Sequence, residues 1–353
     1  MTDFNSRTSR VQSPHDSGRR PADPPAVDPV RTGFLPDAPT MPLVITPAVD
    51  GADLPGWLRE NRGLVDSYLH RHGALLLRGF HEPSVAEFEA TASAICPTLF
   101  REYGDLPREG HSDQIYQSTP YPEDRSILFH NESSHLDSWP MRQFFSCLVP
   151  AQAGGETPIV DCREVYRLMR PELRAQFAER KLRYVRNFID SLDVSWQRFY
   201  GTTDRAEAER KCIEAGIGFS WAPDGTLRTW RVADAVLRHP RTGETVFFNQ
   251  LALHHVSCLD QDTRQALESL YGRDGLPRSV YWGDGAPIDD DVVTEVRELM
   301  DRTAVGFTWQ TGDVLAIDNM LVAHSRRPFT GPRKVVVALG DMLSHAELPP
   351  TDA

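Results

Sequence analysis

Ser126-Ile127-Leu128-Phe129-His130-Asn131-Glu132 is a short apolar run that ends on a histidine and a carboxylate two residues apart. A strand over Ser126 to His130 places His130 and Glu132 on the same side, because side chains alternate with period 2. Far downstream, Ile317-Asp318-Asn319-Met320-Leu321-Val322-Ala323-His324 ends on another histidine. Brought together, the three form a face of two imidazoles and one carboxylate. Such a face suits non-haem Fe(II) and leaves positions open for substrates and O2. His130, Glu132 and His324 are therefore the candidate metal ligands, and oxygen activation is the chemistry they suggest.

Outward from these runs, short strands alternate with turn signals. Strands are expected at Leu43 to Ile45, Ala74 to Arg78, Phe144 to Val149 and Thr157 to Val160, the last after a tight Gly154-Gly155 turn. Others fall at Ile217 to Trp221, Thr226 to Arg231, Thr245 to Phe248, Val314 to Ile317, Leu321 to His324 and Lys334 to Leu339. Amphipathic spacing predicts helices over Leu58 to His72, Val85 to Ala94, Thr263 to Tyr271 and Asp290 to Arg302. Residues from about 162 to 216 read as a mostly helical insert with one strand near Leu182 to Ile189. Asp161 is placed to cap its first helix, with Glu164 as a capping-box partner. The pattern is an all-β core with inserted helices, a sandwich or barrel under a helical layer.

Residues 1–40 are rich in Ser, Pro, Asp and Arg and are expected to form a disordered tail, with a single domain over residues 41–353. The tail lacks an apolar secretion segment, and Asp3, Asp16, Asp23 and Asp28 spoil a transit-peptide pattern. Acidic residues outnumber basic ones, 50 to 38, without a Lys/Arg stripe, which argues against nucleic acid and an anionic membrane as partners. The longest apolar runs, such as Val335 to Leu339, are too short to span a bilayer. Five scattered cysteines without a CxxC pair suit reduced thiols in a cytoplasmic protein. No GxGxxG, P-loop or GxSxG element is present.

Taken in order, His130-Asn131-Glu132, Gly154-Gly155-Glu156-Thr157, Asp318 to His324 and Gly331-Pro332-Arg333 resemble the TauD/TfdA family of Fe(II)/2-oxoglutarate dioxygenases. The likeness runs from about residue 41 to 345 and looks nearest to the natural-product branch, with clavaminate synthase-like and syringomycin-type amino-acid hydroxylases. The resemblance implies a double-stranded β-helix, or jelly roll, with the site in its mouth. It implies Fe(II) on His130, Glu132 and His324, with 2-oxoglutarate and O2 as co-substrates. Thr157 matches a threonine that contacts 2-oxoglutarate, and Arg333 matches the arginine that clamps its far carboxylate. A planar guanidinium is suited to that task, because it binds a carboxylate bidentately in a poorly solvated pocket. Arg326 and Arg327 are rivals for the same role. The carboxylate at Glu132 argues against halogenation, since related halogenases carry a small residue there.

The branch implies oxidative decarboxylation of 2-oxoglutarate coupled to hydroxylation of an amino acid or amino-acid-derived group, free or tethered to a carrier protein. Taurine-oxidising relatives carry a second arginine four residues past the clamp; Val337 stands there in this chain. Ser134, two residues past Glu132, Asn249 with its amide, and Arg142 are the candidate substrate contacts. Asn249 adjoins Gln250, and for both amides core or loop satisfaction is the leading role over substrate contact. His135 and the pair His254-His255 are lesser candidates for the cleft. Desaturation, epoxidation or catabolic cleavage of a small acid is the alternative chemistry, and a non-catalytic jelly-roll binding protein is the alternative class.

Overall fold

The computed structural model describes residues 28–80, 84–101, 112–118, 121–190 and 192–348. Its largest sheet has seven strands in the order β1-β2-β3-β15-β6-β18-β4. These are β1 (Val30–Gly33), β2 (Leu43–Pro47), β3 (Ala74–Leu77), β15 (Val314–Asp318), β6 (Ser138–Val149), β18 (Lys334–Ser344) and β4 (Tyr116–Gln117). All neighbours pair antiparallel except β2 and β3. A smaller antiparallel sheet holds β5 (Ile127–His130), β16 (Val322–Arg326) and β8 (Ile159–Asp161), with β16 in the middle. β7 (Ala153–Gly154) and β17 (Phe329–Thr330) make a short ladder nearby.

The large sheet is covered on both faces, which explains why its central strands are continuously apolar rather than alternating. Leu76 of β3, Leu315 and Ile317 of β15, and Val335, Val337 and Leu339 of β18 enter one core, together with Ile159, Val160, Val322 and Ala323 of the smaller sheet. Leu75, Leu77, Val314, Ala316, Val336 and Ala338 point the other way, onto Leu58, Val65, Leu69 and Phe88 of the helical layer. One-residue alternation thus divides each strand between two cores. In β6 the odd residues Gln143, Phe145 and Cys147 face the smaller sheet, and the even residues Arg142 and Phe144 face the helices.

A second unit covers one end. β14 (Arg278–Trp282), β9 (Leu182–Asn187), β11 (Leu227–Ala233) and β10 (Gly218–Trp221) form a four-stranded antiparallel sheet, and β12 (Val236–Arg238) pairs with β13 (Thr245–Phe247). The expected insert contains helices Cys162–Leu168, Pro171–Arg180, Trp196–Tyr200 and Arg205–Glu214 around β9. Asp161 does cap the first of them, accepting from Arg163 N at 2.9 Å, but Glu164 bonds Arg167 instead of closing a capping box. β14 went unread in the sequence because Arg278-Ser279-Val280-Tyr281-Trp282 is too short for its alternation to stand out.

The helix expected from Leu58 to His72 is two helices, Leu54–Glu60 and Arg62–His72, joined at Asn61. β1 lies inside the stretch read as a tail: Val30 is buried, and the strand pairs with β2 along its length. Residues 1–27 of that tail lie outside the described residues. Four of the five cysteines are buried. No helix among the described residues is long and apolar enough to cross a membrane.

Candidate active site

β5 and β16 pair antiparallel with His130 directly opposite His324, which places the two rings 4.2 Å apart by centroid. The ligating atoms of His130, Glu132 and His324 all lie within 4.8 Å of one another. Nδ1 of His130 stands 2.8 Å from the Leu128 carbonyl. A carbonyl only accepts, so Nδ1 carries the proton and Nε2 keeps its lone pair for a metal. His324 packs against Phe145, and its Nδ1 is buried with no hydrogen-bond partner among the described residues. Burial holds its pKa well below the usual histidine range, so the ring is neutral, as a ligand must be.

Glu132 does not sit on a strand. β5 ends at His130, and Asn131 to Asp137 form turns and bends, with Ser133 at φ 57°. Period-2 reasoning gave the right face because Asn131 plunges into the core between the two ligands. Its Nδ2 donates to the Asn319 carbonyl at 2.7 Å, and its Oδ1 accepts from Asn249 N at 3.2 Å. Asn319 holds the next residue: Glu132 N donates to Asn319 Oδ1 at 2.8 Å, and Asn319 Nδ2 donates to the Glu132 and Pro140 carbonyls at 3.0 and 2.8 Å. Gln250 Nε2 braces the same turn by donating to the Asn131 carbonyl at 3.0 Å. These three amides position the turn; the sequence reading gives Gln250 a core or loop role and passes over Asn131 and Asn319. Their signal was present, since Asn131 and Asn319 sit inside the two quoted motifs as polar residues in apolar surroundings.

The same cleft is lined by Thr157, Arg326 and Arg333, with Phe145, Val335 and Val337 as apolar walls. Arg333 Nε donates to the Gly155 carbonyl at 3.0 Å, and among the described residues no carboxylate stands within ion-pair distance of its guanidinium. Burial, with Arg326 nearby, pushes its pKa down to about 10, so it remains a cation at neutral pH. Thr157 is buried and accepts from Trp309 Nε1 at 3.1 Å, which leaves its hydroxyl proton to donate. Gly154 and Gly155 have to be glycine: both have positive φ, and a Cβ would approach Pro328 O to 2.2 Å or Arg333 to 3.0 Å. Of the rivals, Arg326 spends its guanidinium on the carbonyls of Tyr121, Pro122 and Arg125, and Arg327 is exposed.

The proposed substrate contacts fare differently. Ser134 is buried, but its hydroxyl donates to the Asn131 carbonyl at 2.9 Å and closes the turn. Asn249 is consumed by scaffold bonds, its Oδ1 accepting from Leu251 N and its Nδ2 reaching the Ala235 carbonyl. Arg142 lies on the opposite face of β6, paired with Asp318 at 2.6 Å and Asp66 at 3.2 Å. An even position in β6 cannot point at a site lined by the odd ones, so these three candidates do not line the metal cleft. Gln143, which the sequence reading passed over, does line it, and its Oε1 is buried without a partner. His135 and His254 line a neighbouring cleft, while His255 bonds the Ile288 carbonyl.

Two imidazoles, a carboxylate and, among the described residues, a buried ring nitrogen without a partner and a guanidinium without a carboxylate share one cleft and fit Fe(II) and a dicarboxylate. The taurine catabolism dioxygenase TauD, TfdA family matches residues 37–339. The chain is 38% identical over 278 residues to the dapdiamide synthesis protein DdaC of Enterobacter agglomerans, covering 78% of this chain and 84% of that one. It is 30% identical over 317 residues to a clavaminate synthase-like protein of Arabidopsis thaliana, covering 84% and 93%. In fold it is similar to PvcB, an Fe, alpha-ketoglutarate dependent oxygenase from an isonitrile synthetic pathway, with a TM-score of 0.53 at 14% identity over 94% of this chain and 100% of that one. The chain therefore belongs to the TauD/TfdA family and is an Fe(II)/2-oxoglutarate-dependent dioxygenase.

Proposed function

We propose that this dioxygenase hydroxylates an amino acid or an amino-acid-derived group in natural-product biosynthesis, on a jelly-roll core and in the cytoplasm. The observation that carries the reading is one cleft holding His130, Glu132 and His324 within 4.8 Å beside Arg333, which has no ion-pair partner among the described residues. The facing seven- and three-stranded sheets support a double-stranded β-helix, and the buried, scattered cysteines support a reducing compartment. Similarity to a dapdiamide synthesis protein supports the biosynthetic setting.

In this reading His130, Glu132 and His324 hold the iron, with Asn131 and Asn319 fixing the turn that aims Glu132. Thr157 donates to the far carboxylate of 2-oxoglutarate, and Arg333 grips it through its free Nη groups. Phe145, Val335 and Val337 keep water from that ion pair, which strengthens it. Bound there, iron and 2-oxoglutarate supply the oxidant: O2 is consumed, 2-oxoglutarate leaves as succinate and CO2, and one oxygen atom enters a C–H bond of the substrate. Glu132 occupies the place a halide would need, which favours hydroxylation over halogenation.

The substrate is presented either free or on a carrier protein. The test incubates the enzyme, Fe(II) and 2-oxoglutarate with an amino-acid panel in both forms. The expected result is O2- and iron-dependent succinate, with one oxygen atom gained by one panel member on intact mass. Metal binding without succinate from any member would point to a non-catalytic binding protein and reject the reading.

A further inference from the structure

The turn that carries Glu132 separates two clefts that share no lining residue. Glu132 lines the metal cleft; His135 and Leu136, from the same turn, line the other. The second cleft runs under the four-stranded sheet of the inserted unit, walled by Tyr184, Phe188, Phe199, Tyr200 and Trp230. Three arginines, Arg186, Arg231 and Arg278, also line it. His135 follows Glu132 by three residues and His130 by five, so this cleft lies next to the metal face.

Its charges do not balance. Arg186 grips both oxygens of Asp193, at 2.8 and 2.9 Å, and Arg231 pairs with Asp137. Arg278 stands 3.6 Å from Asp193, whose two oxygens are already engaged, and donates no hydrogen bond among the described residues. Three guanidiniums thus face two carboxylates, and the surplus cation lies beside aromatic walls. A carboxylate supplied by a ligand is the natural complement, because a guanidinium offers it charge-assisted bonds with little competition from water.

A second polar group in the cleft adds direction. Gln250 donates its amide to the Asn131 carbonyl, so its Oε1 accepts, and His254 Nε2, 3.0 Å away, carries a proton. His254 is only 7% exposed, and its Nδ1 is buried with no partner among the described residues. Burial among arginines keeps the ring neutral, which leaves Nδ1 as an acceptor in need of an N–H donor. His135, whose ring centroid is 5.2 Å from that of His254, likewise has a buried Nδ1 without a partner. One wall offers a cation and the other a lone pair.

We propose that this cleft is the substrate subsite and binds a free α-amino acid, its carboxylate on Arg278 and its nitrogen donating to His254. The proposal rests on the oxygenase reading above and narrows it. A substrate tethered through its carboxyl as a thioester has no anion for Arg278, so the free acid is the form accepted. The rest of the molecule extends past His135 towards His130. Through Gln250 and Asn131 the occupied subsite touches the turn that aims Glu132.

The experiment uses the full chain loaded with Fe(II) and 2-oxoglutarate without O2, and measures calorimetrically the binding of free L-amino acids and their carboxamides. At least one free acid binds roughly tenfold or more tightly than its carboxamide, as the loss of a charge-assisted bond requires. Arg278→Gln removes that preference, Arg278→Lys restores part of it, and 2-oxoglutarate affinity stays unchanged in both. Arg278 is half-exposed on β14, at the edge of its sheet, so both variants fold. No free acid outbinding its carboxamide, or a preference that survives Arg278→Gln, overturns the subsite. Succinate release after admitting O2 reports separately on the oxygenase reading: succinate with a preference untouched by Arg278→Gln sinks the subsite alone. A preference lost in Arg278→Gln without succinate from any acid supports the subsite and sinks the oxygenase reading.

Discussion

Asn319→Ala is the perturbation that best separates metal positioning from fold. Asn319 is fully buried and makes three bonds, accepting from Glu132 N and donating to the Glu132 and Pro140 carbonyls. Truncation withdraws one acceptor and two donors from backbone groups in a partly dry turn. At about 1 kcal/mol for each neutral bond, the variant is less stable by about 3 kcal/mol. The metal effect is separate. Without Asn319 the Glu132 backbone is no longer pinned relative to His324, five residues further along the same segment, and loss of such an outer partner weakens metal binding by about 10- to 100-fold. Urea unfolding measures the first quantity, and anaerobic Fe(II) titration of the folded variant measures the second. A variant destabilised as expected but with unchanged iron affinity would refute the reasoning, because the turn would then hold Glu132 without Asn319.

Arg333→Gln weakens 2-oxoglutarate by about 10- to 100-fold, the worth of a buried charge-assisted pair, as read from the co-substrate dependence of succinate release. Arg326→Gln instead lowers thermal stability, since that guanidinium ties down the 121–125 segment, and equal losses of 2-oxoglutarate affinity in both variants would undo the assignment. Burial depresses the pKa of His135 to about 3 and that of His254 well below 6.5, so protons bind the unfolded chain first. Their stabilisation is whole above pH 6.5 and is lost as pH falls below it; urea midpoints of metal-free protein at pH 7.5 and 5.5, lower at 5.5 in wild type and less so in a His135→Asn/His254→Asn control, check this. Deleting residues 1–38 lowers the melting temperature by removing β1 and the buried Val30.

The juxtaposition of the two histidines was legible because His130 and His324 each close an apolar strand-like run, and the pairing of β5 with β16 sets one against the other. The two-faced burial of the large sheet was legible in unbroken runs such as Val335 to Leu339. What escaped reading depends on which side of a strand a residue takes once both sides are buried. Hydrophobicity cannot tell Arg142 from Gln143 in that setting; only the register that sets Arg142 opposite Asp318 decides. Ser134 does not share the face of Glu132 in the metal cleft, because Glu132 lies on a turn, where period-2 logic lapses after the strand ends. β1 escaped because a four-residue edge strand with one buried side chain carries too little apolar signal to stand out from a polar tail.

Iron content after anaerobic reconstitution tests the central claim most directly, with wild type, His130→Ala and His324→Ala compared at equal far-UV circular dichroism. The three ligands acting together predict about one Fe(II) per wild-type chain and almost none in either variant. An iron-replete, folded His324→Ala protein would contradict the account.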